Sequence, residues 1–123
     1  MEFPSINRLE EISRKCTTLD RAIDKDVELL DSLAAQREEP QSINEMNVQL
    51  REHSKQRRQL EQEFKEAFLS AEEEVFTNGR KVLNDEAYSL FSNIYHNYKE
   101  KFKLLKAIKW AKDYLISSGF EHV

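Results

Sequence analysis

The sequence predicts an all-α protein: an elongated three-helix bundle running up, down and up, built on an antiparallel coiled-coil hairpin. Three observations carry that expectation. The chain has only two prolines and two glycines in 123 residues, at Pro4, Pro40, Gly79 and Gly119. These strong punctuators of helix leave three segments of similar length between them. Apolar residues recur inside each segment at steps of three and four, the spacing of one helix face. Charged residues make up 34% of the chain, a composition typical of long helices and coiled coils.

The first segment predicts a helix over about residues 5–37. Leu9, Cys16, Ile23 and Leu30 occupy heptad position a, and Ile12, Leu19, Asp26 and Leu33 occupy d. Such a run of heptads is a coiled-coil signature. The second helix is expected over about 42–77. Ser42-Ile43-Asn44-Glu45 reads as a capping box, in which the Ser hydroxyl and the Glu carboxylate each satisfy the other's backbone N–H. Ile43, Leu50, Phe64 and Ala71 then fall at a, with Met46, Leu60 and Ala67 at d. The intervening loop, Glu38 to Gln41, is short, so the two helices should run antiparallel.

Facing a against d sets Leu33 opposite Leu50, Ile23 opposite Leu60 and Leu19 opposite Phe64. The same register sets Asp26 opposite Arg57 and Leu30 opposite His53. Asp26, His53 and Arg57 are therefore expected as a structural polar layer, which fixes register more than it adds stability.

Thr77-Asn78-Gly79 reads as a helix C-cap, because Gly and Asn readily take the left-handed conformation needed there. The third helix is expected over about 84–118, starting at Asn84 or Asp85 with Asp85 and Glu86 favouring the helix dipole. Gly119 would follow its end, with Phe120 as a capping contact. An alternative carries helix two straight through Gly79, at a cost of only ~1 kcal/mol relative to Ala, and gives a hairpin with a long extension. Helix three carries the broadest apolar surface, including Ala87, Phe91, Ile94, Tyr98, Leu105, Ile108 and Leu115.

Charge is unevenly placed. Residues 1–40 hold ten acids and six bases, 41–79 eight and five, and 80–123 five acids and eight bases. The lone cysteine, Cys16 at an a position, reads as a small buried hydrophobe and cannot close an internal disulfide. The opening residues lack the basic start and apolar core of a signal peptide. No run reaches the ~20 apolar residues of a membrane span. One domain in a cytoplasmic, reducing compartment is the expectation.

Catalytic groups are hard to assemble from this sequence. No histidine has a Glu three residues before it, and phosphate loops, dinucleotide fingerprints and His-Glu-x-x-His are absent. No metal or cofactor is expected. His96 and Glu100 share a helix face but have no second pair to complete a metal site. Glu72-Glu73-Glu74 reads as a solvated acidic face.

The surface singled out is a stripe on helix three. Lys99, Lys103, Lys106, Trp110 and Tyr114 follow steps of four, three, four and four, with Tyr88 and Tyr95 on the flank. Trp and Tyr bury large area with few torsions, and lysines beside them suit an acidic or mixed protein surface. The expected function is a non-enzymatic protein-interaction module, a small helical adaptor, subunit or regulator, self-associating as a homo-oligomer through the coiled-coil stripe of helix one. The alternative is nucleic-acid binding by the basic and aromatic third helix, which holds six lysines between Lys99 and Lys112. Against it stand the absence of arginine from that helix and the net charge of −4.

Overall fold

In the computed structural model the described residues are 2–37 and 39–121, with side chains through Ser118. They form four helices: α1 (Pro4–Ala35), α2 (Pro40–Val82), α3 (Asp85–Lys101) and α4 (Leu104–Glu121). The all-α class holds. The three-helix topology does not, because the expected third helix is two.

Both prolines open helices. Pro4 and Pro40 are the first residues of α1 and α2, where a missing N–H costs nothing and a fixed φ is already helical. This displaces the expected capping box. The Ser42 and Ile43 amides donate to the Glu39 carbonyl at 3.1 and 3.4 Å, which places Ser42 inside the first turn. Glu45 instead accepts from Gln41 Nε2 at 3.4 Å. α1 ends one residue pair earlier than expected, where Arg37 takes a left-handed backbone at φ 54.

Gly79 does not end α2. It lies buried within the helix at negative φ, and Leu83 N–H donates to its carbonyl at 2.9 Å. A Cβ built there would meet the rings of Phe91 and Tyr88 at 3.4 and 3.5 Å. The chain reverses instead after Leu83. Asn84 is the α3 N-cap, its side chain accepting from Ala87 N–H at 2.8 Å, with Asp85 and Glu86 in the first turn.

The second correction falls at Phe102–Lys103, where no proline or glycine stands. Phe102 leaves the helix with φ −124 and ψ 171, and its N–H closes on Tyr98 O. α4 then packs against α3. The gain is in burial. The stretch from Ala87 to Leu115 is too broadly apolar for one helix to hide, and folding it back lets Trp110 and Tyr114 of α4 stack on Phe91 of α3. Gly119 lies within α4 and not after it. The Phe120 side chain, expected as a cap, lies outside the described residues.

Contacts divide the chain into two compact units. One comprises Met1–Glu11 and Lys65–Val123; the other is Ile12–Phe64. The first has a dense core containing Phe3, Ile6, Leu9, Ala67, Phe68, Ala71, Val75, Phe91, Tyr95, Ala107, Ile108, Ala111 and Leu115. The second contains only the α1 and α2 arms of a hairpin, so each seam residue is covered from one side. Ile12, Cys16 and Asp26 are its buried residues among those described, while Leu19, Ile23, Leu30, Leu33, Ile43, Met46, Leu50, Leu60 and Phe64 remain half-buried.

Candidate interaction surface

The Ile12–Phe64 hairpin is organised around a buried carboxylate. Asp26 is 2% exposed. Its Oδ2 lies 2.5 Å from His53 Nδ1, and its Oδ1 accepts from Gln49 Nε2 at 2.8 Å. Burial works against the charged form, but the hydrogen bonds from His53 and Gln49 and the field of His53 prevail, so the carboxyl titrates below its usual range. The expected polar layer therefore exists with different membership. Asp26 meets His53 in place of Arg57, and Arg57 Nε donates to Asp20 Oδ1 at 2.8 Å.

The physical reason is register. Asp26 bonds both Gln49 and His53, so it lies level with the residues between them, and Asp20 bonds Arg57. The pairing is therefore slid along α2, toward the hairpin loop, from the height at which Asp26 would face Arg57. Cys16, at a, is buried as expected, and burial pushes its thiol pKa up.

Three large apolar side chains stand outward on this hairpin: Val27 and Leu29, each 43% exposed, and Val48 at 64%.

In the other unit the expected Lys–Trp stripe is taken apart. Its residues lie on two helices and a turn, because the break at Phe102–Lys103 separates Lys99 from Lys106, Trp110 and Tyr114. Trp110 stacks on Phe91 and Tyr98 at centroid distances of 5.8 and 5.0 Å, with interplanar angles of 14° and 13°. Those two rings are seven residues apart on α3, about 10.5 Å along the axis, so the indole sits between them. Tyr114 stacks on Phe91 at 5.5 Å. Lys106 Nζ lies 4.1 Å from the Phe102 ring centroid, a close cation–π contact. Lys103 is exposed in the turn.

The two flanking tyrosines are also engaged. Tyr88 meets Phe76 edge-on and lies beneath Arg80. Tyr95 is fully buried, and its hydroxyl donates to Glu72 Oε2 at 2.6 Å. Lys99 Nζ donates to the same oxygen at 2.9 Å. Burial, then the Glu72 bond, drives the Tyr95 phenol pKa well up. Glu72 is opposed by its own burial, yet the Tyr95 and Lys99 bonds hold it below the usual range.

The acidic run is likewise not simply solvated. Glu74 reaches the start of α1, where the Ser5 and Ile6 amides donate to its Oε1 and Oε2 at 3.2 and 3.3 Å. It thereby satisfies two of the N–H groups that a helix start leaves unpaired. Of the three, Glu73 is exposed and the other two half-buried; Glu73 lines a shallow open depression with Glu2, Ser5, Ser70 and Asn78.

Among the described residues no group of three or more His, Cys, Asp or Glu is placed to hold a metal ion, and no helix is long and apolar enough to cross a membrane. Compared with known proteins, the chain matches no family, no curated protein and no solved structure.

Sequence reasoning missed Gln49, Asp20, Glu72 and Glu74 as partners. Asp20 and Gln49 are at e and g, the positions flanking a coiled-coil seam. That signal was available once the register was known. Glu72 and Glu74 stand in an acidic run, but nothing local points to Tyr95, Lys99 or the start of α1 as what they meet.

Proposed function

We propose that this chain is a non-enzymatic protein-interaction module, a small helical adaptor, subunit or regulator that acts and self-associates through its coiled-coil hairpin. One observation carries the reading: a two-helix unit whose apolar seam stays half-open and which sets Val27, Leu29 and Val48 outward. A further helix against such a surface removes apolar area from water at roughly 25 cal/mol per Å². A cytoplasmic setting accords with the free, buried Cys16.

Light scattering on the purified chain, with cross-linking mass spectrometry in its native cell, tests this. The expected result is intermolecular cross-links concentrated between residues 12 and 64. A monomeric mass together with purely intrachain cross-links would overturn it.

Nucleic-acid binding is the second reading, supported by the exposed Lys101, Lys103 and Lys109 around the α3–α4 turn. It asks for bases to stack on aromatic rings, whereas Trp110 is already sandwiched within the protein. A salt titration against duplex and single strands decides it, and no binding at low salt ends it.

A further inference from the structure

The Ile12–Phe64 hairpin has two long faces, and their charge patterns differ. In an antiparallel pair the e positions of both helices line one side of the seam and the g positions the other. The observed contacts obey this: Asp20 (e) meets Arg57 on one side, and Gln49 (g) meets Asp26 on the other. The e side continues outward to the b positions. On α1 that face carries Thr17, Asp20, Asp24, Val27, Asp31 and Ala34, with three acids and no base. On α2 it carries Asn44, Asn47, Arg51, Ser54, Arg58 and Glu61, where Glu61 alone departs from a neutral or basic pattern.

Asp24, Asp31, Arg51 and Arg58 are all exposed. An acidic row thus lies beside a basic row on the same face, around an exposed valine. Such a face is complementary to itself.

Two-fold symmetry allows two ways of stacking that face on its copy. An axis perpendicular to the helices lays α1 on α1 and sets acid against acid. An axis parallel to the helices lays α1 on the second copy's α2, at unchanged height, and sets acid against base. The bonds of Asp26 to Gln49 and His53 and of Asp20 to Arg57 set the heights. Arg51 is then level with Asp26, between Asp24 and Asp31; Arg58 is level with Leu19, beside Asp20 and about a turn and a half from Asp24. Each arginine of one copy therefore lies close to one aspartate of the other and within side-chain reach of a second.

We propose that the Ile12–Phe64 hairpin pairs face to face with that of a second copy, about a two-fold axis parallel to the helices, through Asp24 and Asp31 on α1 and Arg51 and Arg58 on α2. This deepens the interaction-module reading and rests on it. The pairing lays two half-open hairpins together as a four-helix layer and gathers Val27 of both copies into it. Opposite-charge contacts at its edge select the partner and the direction of approach.

A charge-swap experiment on the full chain tests the pairing. One variant carries Arg51→Glu with Arg58→Glu; a second carries Asp24→Lys with Asp31→Lys; a third combines all four. Each of the first two sets like charge on like charge in its own homodimer. An equimolar mixture of the two restores both contacts, as does the third variant alone.

Sedimentation of the wild type across a concentration series should show twice the 14.6 kDa chain mass, with weaker association as salt rises. The first two variants should dissociate at least about tenfold more readily. Their mixture and the four-fold variant should recover the dimer. Helicity by circular dichroism separates lost pairing from lost folding, and the four-fold variant keeps the hairpin's own charge balance. As a control, Lys25→Glu with Glu52→Lys on the opposite c face should leave association unchanged.

A wild type that stays monomeric overturns this pairing. In that case cross-links to a different protein would keep the interaction reading alive, and their absence would end it too. A dimer indifferent to the single-helix reversals, or not recovered in the mixture, also overturns the pairing.

Discussion

Replacing Gly79 with alanine tests the continuity of α2 by the sign of its effect. A glycine inside a helix costs about 0.8–1 kcal/mol relative to alanine. At Gly79 φ is not positive, and the added methyl would lie 3.4 Å from Phe91 Cε1 and 3.5 Å from the Tyr88 ring, ordinary contact distances. Nothing must move, and the methyl fills space against two aromatic rings. The structure therefore expects Gly79→Ala to stabilise by about 0.5–1 kcal/mol, which raises Tm by a few degrees in a chain of this size. Were Gly79 the left-handed residue after a helix end, the same change would destabilise by about 1–2 kcal/mol. Thermal and urea unfolding followed at 222 nm measure the difference. A lower Tm would refute the continuous helix and the placement of the chain reversal after Leu83.

Other outcomes follow from the same contacts. Arg37→Gly should stabilise by up to about 1 kcal/mol in urea unfolding, since Arg37 holds a left-handed backbone at φ 54 that glycine adopts without strain. His53→Leu removes a close bond to a buried carboxylate and should cost about 1.5–3 kcal/mol. Asp26→Leu combined with His53→Leu should recover most of that loss, and equal losses in the two variants would contradict the buried-charge account. Asp26 and Glu72 are both held below their ordinary pKa values of 3.8 and 4.5. In that window the unfolded chain binds more protons than the folded one, so the stabilisation present above those values is lost as pH falls through the lower folded values. Unfolding free energies measured down the acid limb should show it, and Asp26→Asn with Glu72→Gln should flatten the slope. Cys16, buried and with its thiol pKa raised, should resist iodoacetamide in the native state and react promptly in denaturant.

Much of the fold was legible because helix starts and apolar periodicity are local. Pro40 with its short loop announces a hairpin, Asn84 with Asp85 and Glu86 announces α3, and the seam of α1 is visible as heptads. What escaped was relational. Heptad letters state which residues face inward but not at what height two seams meet, and so the expected Asp26–Arg57 pairing gives way to Asp26–His53. The glycine cost at Gly79 is small beside the burial of Val75 and Leu83 on either side, and tertiary packing overrode punctuation. The reversal at Phe102–Lys103 has no punctuator at all; its trace in the sequence is an apolar surface too wide for one helix. Trp110 reads as a surface residue only on a helix that runs unbroken through Phe102, whereas Tyr95 lies on the side of α3 that meets Glu72 and Phe76 of α2. The polar layer of the hairpin survived that error, since Asp26 interrupts an otherwise apolar seam wherever its partner lies.

Trp110 is the chain's one tryptophan, and it is wedged between Phe91 and Tyr98. Its emission consequently reports the melting of the α3–α4 pair. Circular dichroism counts every helical turn, the hairpin's included. Any gap between the two unfolding curves is then a direct reading of how independently the hairpin comes apart, obtained without labels or mutations.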